Sequence, residues 1–551
     1  MHLCRSLARF VAVASLLLCT RICLPEQAPG HSAAGIVLPA FSLQVERVES
    51  GDAVIEGLGL EMDPSGRFSF ASRMLGFPRR VAALDDFRIS GQVEHLDFSA
   101  GGAGLVSRLD YSGLQATWEL RVPESGLEST MTFGRQPLGK LSVLPAVPEM
   151  ISWIKSGFAR ASFQLAQHGD DQWKAGYDLF LDQLSFDSPD GRFAGEGVQL
   201  GMGGVVSTSS DGFIAENRGS LDKGELLLDN LYLDLNESPV EWQASPAWVA
   251  EEGAVSGKIQ LTDPEAIDLI ASFKVGDFLN PAAWDIHINR LRLEFPDAYR
   301  QYLEPVAATW TLDGLEVTGA LEWSGAWQRG ELHSGDLVIS DLSVVDTAQE
   351  RFALTGMNTR LQPGRYEAVS RLSWRGLLLG RVNLGPGEAL LDSEPGRFAL
   401  LEPLELSVLG GNLKLNALSY TLPYAREEER DHAFLSASLR GLEMQPLTRA
   451  LGWPEFGGTI SGDLPGASLS QGVFSLQGGI RLDVFGGKVE VSEMQIERPF
   501  GVLPSLSANV GMHGLDLDLL TETFSFGHIG GRVDGHVVGL RVLDWEPVAF
   551  D

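Results

Sequence analysis

One eight-residue spacing, apolar at its first, third, sixth and eighth positions, recurs six times and constrains the fold more than any other feature of the chain. The first three copies are Leu179, Leu181, Leu184 and Phe186; Leu226, Leu228, Leu231 and Leu233; and Ile286, Ile288, Leu291 and Leu293. The other three are Leu337, Ile339, Leu342 and Val344; Leu413, Leu415, Leu418 and Tyr420; and Val489, Val491, Met494 and Ile496. An apolar helical face repeats at i, i+3, i+4 and i+7, which this spacing does not. On a strand the first and third residues share a face, as do the sixth and eighth, but the two pairs differ in parity. A β-bulge between the pairs absorbs the odd residue, brings all four side chains to one side and bends the strand. The gaps hold residues suited to that role: Asp182-Gln183, Asp229-Asn230, Asn289-Arg290, Ser340-Asp341, Asn416-Ala417 and Ser492-Glu493. The spacing therefore predicts a mainly β chain of many bent strands, each apolar on one side.

A chain of 551 residues ordinarily divides into about three or four globular domains. The recurring unit argues instead for one elongated β architecture that grows by accretion. The 63 glycines follow no period and fit turns and bulges, and the 44% hydrophobic content is ample for a large sheltered apolar face. A formal net charge of −31 leaves no basic patch of the kind that nucleic-acid binding requires. Acidic residues such as Asp178, Asp182 and Asp187 alternate with apolar ones. They read as a solvated outer face that also protects sheet edges.

All three cysteines, Cys4, Cys19 and Cys23, lie at the N-terminus. The rest of the chain makes no disulfide and offers no thiol nucleophile, as suits an exported bacterial protein. Arg5 and Arg9 precede an apolar run over 10–19, and Arg21 interrupts the apolar residues after it. That run matches an export-signal core and falls short of the roughly 20 residues that span a bilayer. Residues 1–30 read as a cleaved signal peptide or as a short uncleaved membrane anchor; both readings stay open.

Further along, strands are expected over 35–140, for example at 87–93 and 115–122. A short helix is expected over 144–155, ended by Gly157 and followed by a strand from Phe158. A second such unit runs from Phe295 through Pro305 into a strand from Gly314. The clearest repeat lies after residue 400. LSVLGG (406–411) matches LDVFGG (482–487), and GLEMQPLTRALGWPEFGGTISG (441–462) aligns with GLDLDLLTETFSFGHIGGRVDG (514–535) at an offset of 73. Each copy reads strand, short amphipathic helix, Gly-Gly turn, strand, with the helix placed to cap one end of a sheet. Residues 426–432 read as a solvated loop tip.

The run FSFGHIGGRVDGHVVGLRVLDWEPVAFD (524–551), with its Gly-x-x-x-Gly strand and its close on Asp544-Trp545-x-Pro547-Val548-Ala549-Phe550-Asp551, resembles the characteristic segment of the YdbH-like branch of the AsmA-like family. The helix over 515–524 is similar to that family's as well. The resemblance is specific over about 400–551 and architectural over 35–400. It implies three parts: the signal or anchor at 1–30, the N-terminal part of an elongated β-groove at 35–400, and tandem YdbH-like strand–helix–strand repeats at 401–551. It implies a bridge-like periplasmic lipid transfer protein rather than an enzyme. The implied fold is a long, twisted antiparallel β-sheet curled into an elongated groove (a β-taco) with a few short capping helices. The N-terminus would tether it at the inner membrane of a Gram-negative cell, and the groove would reach toward the outer one. Phospholipid acyl chains are the implied cargo, and an outer-membrane or periplasmic protein is the implied docking partner. Relatives continue beyond the equivalent of Asp551, so the chain is expected to be truncated there, and its apolar N-terminal segment is shorter than a family-type anchor.

The sequence holds no HExxH, GxSxG, Walker or CxxC motif. GEGVQLG at 195–201 has the wrong spacing for a dinucleotide and lies in strand-like sequence. His528 and His536 are eight apart and could share a strand face, with Asp534 able to pair with either, but no third ligand joins them. Trp545 reads as a packing anchor at the sheet end. The octets either fill an ordinary sandwich core or stand apart and line a groove for acyl chains. Given the resemblance, all 24 octet residues are expected to line the groove. The expected activity is intermembrane phospholipid transport that supports the outer membrane. The competing readings are a periplasmic assembly factor for outer-membrane proteins and an exported structural β-protein with a filled core.

Overall fold

The computed structural model describes residues 40–50, 53–76, 84–99, 102–111, 113–123, 126–143, 152–168, 172–209, 211–229, 231–251, 253–277, 280–304, 307, 314–329, 331–362, 368–394, 397–421, 433–470, 473–497, 505–543 and 546–549. The export segment, most of the helix expected over 144–155, the 426–432 loop tip and Trp545 lie outside these residues. The chain falls into two compact units, Met1–Gly253 and Ala254–Asp551.

Each unit is an antiparallel β meander in which strands pair mainly with their neighbours in sequence. The first runs from Phe41–Ser50 to Val240–Val249 and the second from Ala254–Asp263 to Glu546–Ala549. Among the described residues no pairing joins the first strand of either unit to its last, so each sheet stays open rather than closing into a barrel. The fold class is therefore the expected one: long antiparallel β-sheet, bent along its strands, with few and short helices.

Five of the six octets are single strands bulged where the odd residue sits. Register slips around Gln183 in Gln172–Asp187, Asn289 in Trp284–Phe295, Asp341 in Glu331–Asp346, Asn416 in Gly411–Thr421 and Glu493 in Gly487–Glu497. Gln183, Asp341 and Glu493 adopt φ of 51°, 50° and 54°. Exposure alternates along Gly487–Glu497 until Ser492 and Glu493 both face water, and then resumes with Met494 and Ile496 turned in.

The second octet departs from this pattern. Gly212–Leu228 and Leu231–Asp234 are two strands of a tight hairpin, with Leu228 opposite Leu231 and Leu226 opposite Leu233. Asp229, which opens the turn, has φ of 57°. That conformation suits a primed hairpin turn, and aspartate tolerates the left-handed region. Direct cross-strand pairing places four leucines on one side, as a bulge would.

Neighbouring strands bulge beside the other octets, so those bends align into a crease, whereas the slip at Asn289 lies apart, opposite Ser324. In the first unit the slips continue beside Gly197 and Gly224, and in the second beside Gly319 and Gly356. Gly319 shows why the crease selects glycine. Its φ is +109°, and a Cβ there would lie 2.7 Å from both the Asp341 carbonyl oxygen and Leu342 Cα.

The C-terminal repeat builds two helices, α1 (Met444–Leu451) and α2 (Leu517–Phe524). Each is anchored to the hairpin before it: Glu443 N–H donates to Leu409 O and Asp516 N–H donates to Phe485 O, both at 2.8 Å. Met444 sits in a buried cluster with Leu442, Ile460 and Val484. Leu515 and Asp516, expected in the second helix, end the strand Ser505–Asp516 instead. Lys155, expected at a helix end, belongs to the strand Ile154–His168. The unit after Phe295 forms one wide helical turn, Tyr299–Leu303, whose Tyr302 hydroxyl donates to the buried Asp263 carboxylate at 2.8 Å.

A second buried carboxylate closes a turn. Asp346 accepts hydrogen bonds from the Gln349 N–H (3.1 Å), the Arg351 N–H (3.3 Å) and the Arg351 guanidinium. Burial pushes its pKa up, but Arg351 and the two backbone donors outweigh that and hold the carboxyl below its usual range. A carboxyl depressed on folding stabilises the protein fully above its unfolded pKa of about 4, and that stabilisation fades as pH falls through the folded value. Asp346→Asn is expected to cost about 1–3 kcal/mol at neutral pH and progressively less in acid, as measured by chemical denaturation across that range.

Candidate functional site: the apolar face

Register partners on adjacent strands point to the same side of a sheet, so the pairing rows reveal which side chains share a face. In the first unit one row is Ile154/Phe186/Gly195/Leu226/Leu233 and another is Ala161/Leu179/Met202/Gly219/Trp242. Between them, Leu181 lies opposite Ala159 and Leu200, and Leu184 lies opposite Val198. These rows put the first two octets on one side. In the second unit a row runs Leu269/Leu291/Trp323/Leu337/Leu361. On either side of it, Ile288 lies opposite Ala271 and Gly325, and Leu293 opposite Ile267 and Leu321. Another row runs Leu406/Leu413/Leu439/Gly462/Ile480/Val491/Val510/Val537 and links the last two octets. The octet residues thus lie on the apolar face of their own unit.

The opposite face is charged and wet. Ion pairs there include Arg135–Asp182 (3.0 Å), Lys155–Asp187 (2.8 Å), Lys414–Glu405 (2.8 Å) and Arg481–Glu490 (3.1 Å). Exposed pairs of this kind contribute about 0–1 kcal/mol each. Their structural effect is to fix which side of the sheet faces solvent, since reversing the register would bury them.

How completely the apolar face is covered distinguishes a core from a groove. Of the 24 octet residues, Leu226, Leu233, Ile339 and Met494 are buried and Leu228, Leu418 and Tyr420 are exposed. The other seventeen are half-buried, among them Leu181, Leu184, Ile288, Leu291 and Leu293 at the centres of their units' bends. Inward residues of a filled sandwich interdigitate across the gap and lose nearly all contact with water. Side chains this large and this apolar are here only partly covered by the protein itself.

The rings on this face are laid down rather than upright. A Cβ added at the register partner of Phe186, Trp242 or Trp374 would meet the ring at 2.4 Å (Gly195), 2.1 Å (Gly219) or 2.1 Å (Gly387). Trp323 covers Gly335 in the same way at 2.2 Å. Indole N–H groups are directed sideways along the sheet, from Trp374 to Gly385 O at 3.0 Å and from Trp118 to Ser129 Oγ at 3.0 Å. Each glycine leaves a space into which the neighbouring ring tips, so the face stays low where its largest side chains sit. Gly219→Val would force the Trp242 indole up off the sheet. The expected result is a red-shifted, more quenchable Trp242 emission, read as the difference from the same variant carrying Trp242→Phe.

No family model matches this chain, and neither a curated protein nor a solved structure matches it. The residues of the apolar face and their surroundings therefore carry the functional argument.

The other sequence candidates are dispersed. His528 lies in the exposed loop after α2, with Nδ1 3.6 Å from Asp518 Oδ1, whereas His536 is on the strand Arg532–Leu543, so the two do not share a strand. Asp534 accepts from the Gly514 N–H at 2.8 Å instead of pairing with either histidine. Among the described residues no three His, Cys, Asp or Glu side chains are grouped to hold a metal ion. Among them, too, no helix is long and apolar enough to cross a membrane. Sequence reasoning missed the ring-on-glycine pairs because they join residues 9 to 23 positions apart, which only the register brings together.

Proposed function

We propose that this chain is a non-enzymatic conduit that carries phospholipid between the inner and outer membranes of a Gram-negative bacterium. Acyl chains lie on the apolar face while the headgroup stays in water. The observation that carries this reading is the row-by-row continuity, within each unit, of large apolar side chains left half-buried. Each CH₂ exposed to water costs about 0.8 kcal/mol, so a lipid crossing water unaided meets a large barrier that a continuous apolar surface removes. The resemblance of 400–551 to YdbH-like proteins supports the same reading and supplies its setting. That setting is the periplasm, with a tether at the inner membrane through 1–30 and a docking protein near the outer membrane. The process calls for no catalytic residue and no cofactor. An apolar surface sets no direction, so a gradient or an energised partner must supply it.

Photocrosslinking residues at Leu228, Leu415 and Val491 test the reading in living cells. Phospholipid is expected at all three positions. Unfolded outer-membrane protein in its place would mark an assembly factor, and capture of neither would leave a filled core and end the conduit idea.

A further inference from the structure

Asn217 is out of place on the inner face of the first unit. Its register row is Phe163/Tyr177/Gly204/Asn217/Ala244, and an amide in such a row would ordinarily present bare polar atoms to hydrocarbon. Instead it lies between two rings. The Trp242 Nε1–H donates to Asn217 Oδ1 at 2.8 Å, and the Asn217 amide donates to the Tyr177 hydroxyl. Tyr177 reaches it from two strands away by lying across Gly204, where a Cβ would come within 3.0 Å of the ring and of the hydroxyl. Trp242 reaches it from the other side by lying across Gly219, where a Cβ would come within 2.1 Å. Two glycines make the room, and one amide holds both rings down.

We propose that Asn217 is a positioning residue that sets the depth of the inner face: it clasps Tyr177 and Trp242 flat so that an acyl chain can pass over them. The proposal rests on the conduit reading. Its physical basis is that the Asn217 oxygen, the Asn217 nitrogen, the Trp242 indole N–H and the Tyr177 oxygen each take part in a hydrogen bond within the trio, so a hydrocarbon guest passes over ring faces with fewer bare polar atoms beneath it. Without the clasp either ring is free to adopt an upright rotamer, and upright aromatic side chains would occupy the space that the guest needs.

The test uses the purified full chain, vesicles of phosphatidylethanolamine, and photocrosslinkers at Leu179, in the register row of Trp242, and at Val491, in the other unit. Asn217→Leu keeps the volume and removes both hydrogen bonds. Capture at Leu179 is expected to fall about tenfold while capture at Val491 is unchanged. Tyr177→Ala/Asn217→Leu/Trp242→Ala removes the rings that would rise and is expected to restore capture at Leu179. A merely structural amide would make that triple variant worse. If Asn217→Leu does not fold, Tyr177→Phe/Trp242→Phe poses the same question without altering Asn217. Undiminished capture at Leu179 in the variant lacking the clasp, or no recovery in the triple variant, overturns the clasp alone. Absence of lipid at both positions in the unaltered chain overturns the conduit reading and the clasp with it.

Discussion

Gly319→Val is expected to prevent the second unit from folding stably. The added Cβ would lie 2.7 Å from the Asp341 oxygen, 2.7 Å from Leu342 Cα and 2.8 Å from the Asp341 carbonyl carbon. All three are backbone atoms, so no side chain can swing aside. The φ of +109° adds a conformational penalty that a β-branched residue feels most. Overpacking costs about 1–3 kcal/mol and backbone strain a similar amount, so a loss of about 4 kcal/mol or more is expected. Slipping the whole strand Glu331–Asp346 by one residue gives no relief, because it would send Leu337, Ile339, Leu342 and Val344 to the wet face. Gly134→Val is the control, because a Cβ at Gly134 meets nothing within 4 Å and its effect is expected to be within about 0.5 kcal/mol. The measurement is the denaturant midpoint. Similar midpoints for the two variants would show that the crease does not depend on the close approach at Gly319.

The crease also shows where the sequence was readable. Bulges at Gln183, Asn289, Asp341, Asn416 and Glu493 follow from parity alone, because an odd residue between two in-facing pairs has to leave the ladder. The Leu226–Leu233 octet defeats this reasoning. A bulge and a two-residue hairpin both bring Leu226, Leu228, Leu231 and Leu233 to one side, and Asp229-Asn230 suits either. What separates them is whether Leu233 pairs back onto Leu226, a tertiary choice invisible to periodicity. The same limit hid Asn217. As a sequence position it is a polar residue in a strand, and its role comes from rings at Tyr177 and Trp242, 40 and 25 residues away. The helix begins at Leu517 rather than at Leu515, a boundary that periodicity leaves open because Leu515 fits the helical spacing as well as the strand. The packing of Leu515, which is buried opposite Val533, decides in favour of the strand.

Leu415→Asp is expected to arrest lipid transfer while leaving the sheet folded. Leu415 is half-buried, and its register partners are Leu404 and Ala437, both on the apolar face. In the empty sheet a carboxylate at a half-exposed position keeps much of its water, so the cost to folding is about 1–2 kcal/mol. A passing acyl chain would strip that water, and an uncompensated carboxylate against hydrocarbon costs several kcal/mol. At about 1.4 kcal/mol per factor of ten, transfer is expected to slow by about 100-fold or more. Lys414→Gln removes a charge from the opposite face, where Lys414 pairs with Glu405 at 2.8 Å, and is expected to leave transfer unchanged. The readout is delivery of labelled phospholipid to the outer membrane in cells that lack paralogous transporters, beside the thermal midpoint of each purified variant. A filled core predicts the reverse pattern: Leu415→Asp would cost several kcal/mol of stability and affect no lipid movement. A conduit works in series and fails at its narrowest point, so one folded but fully active Leu415→Asp protein is enough to exclude passage across this part of the face.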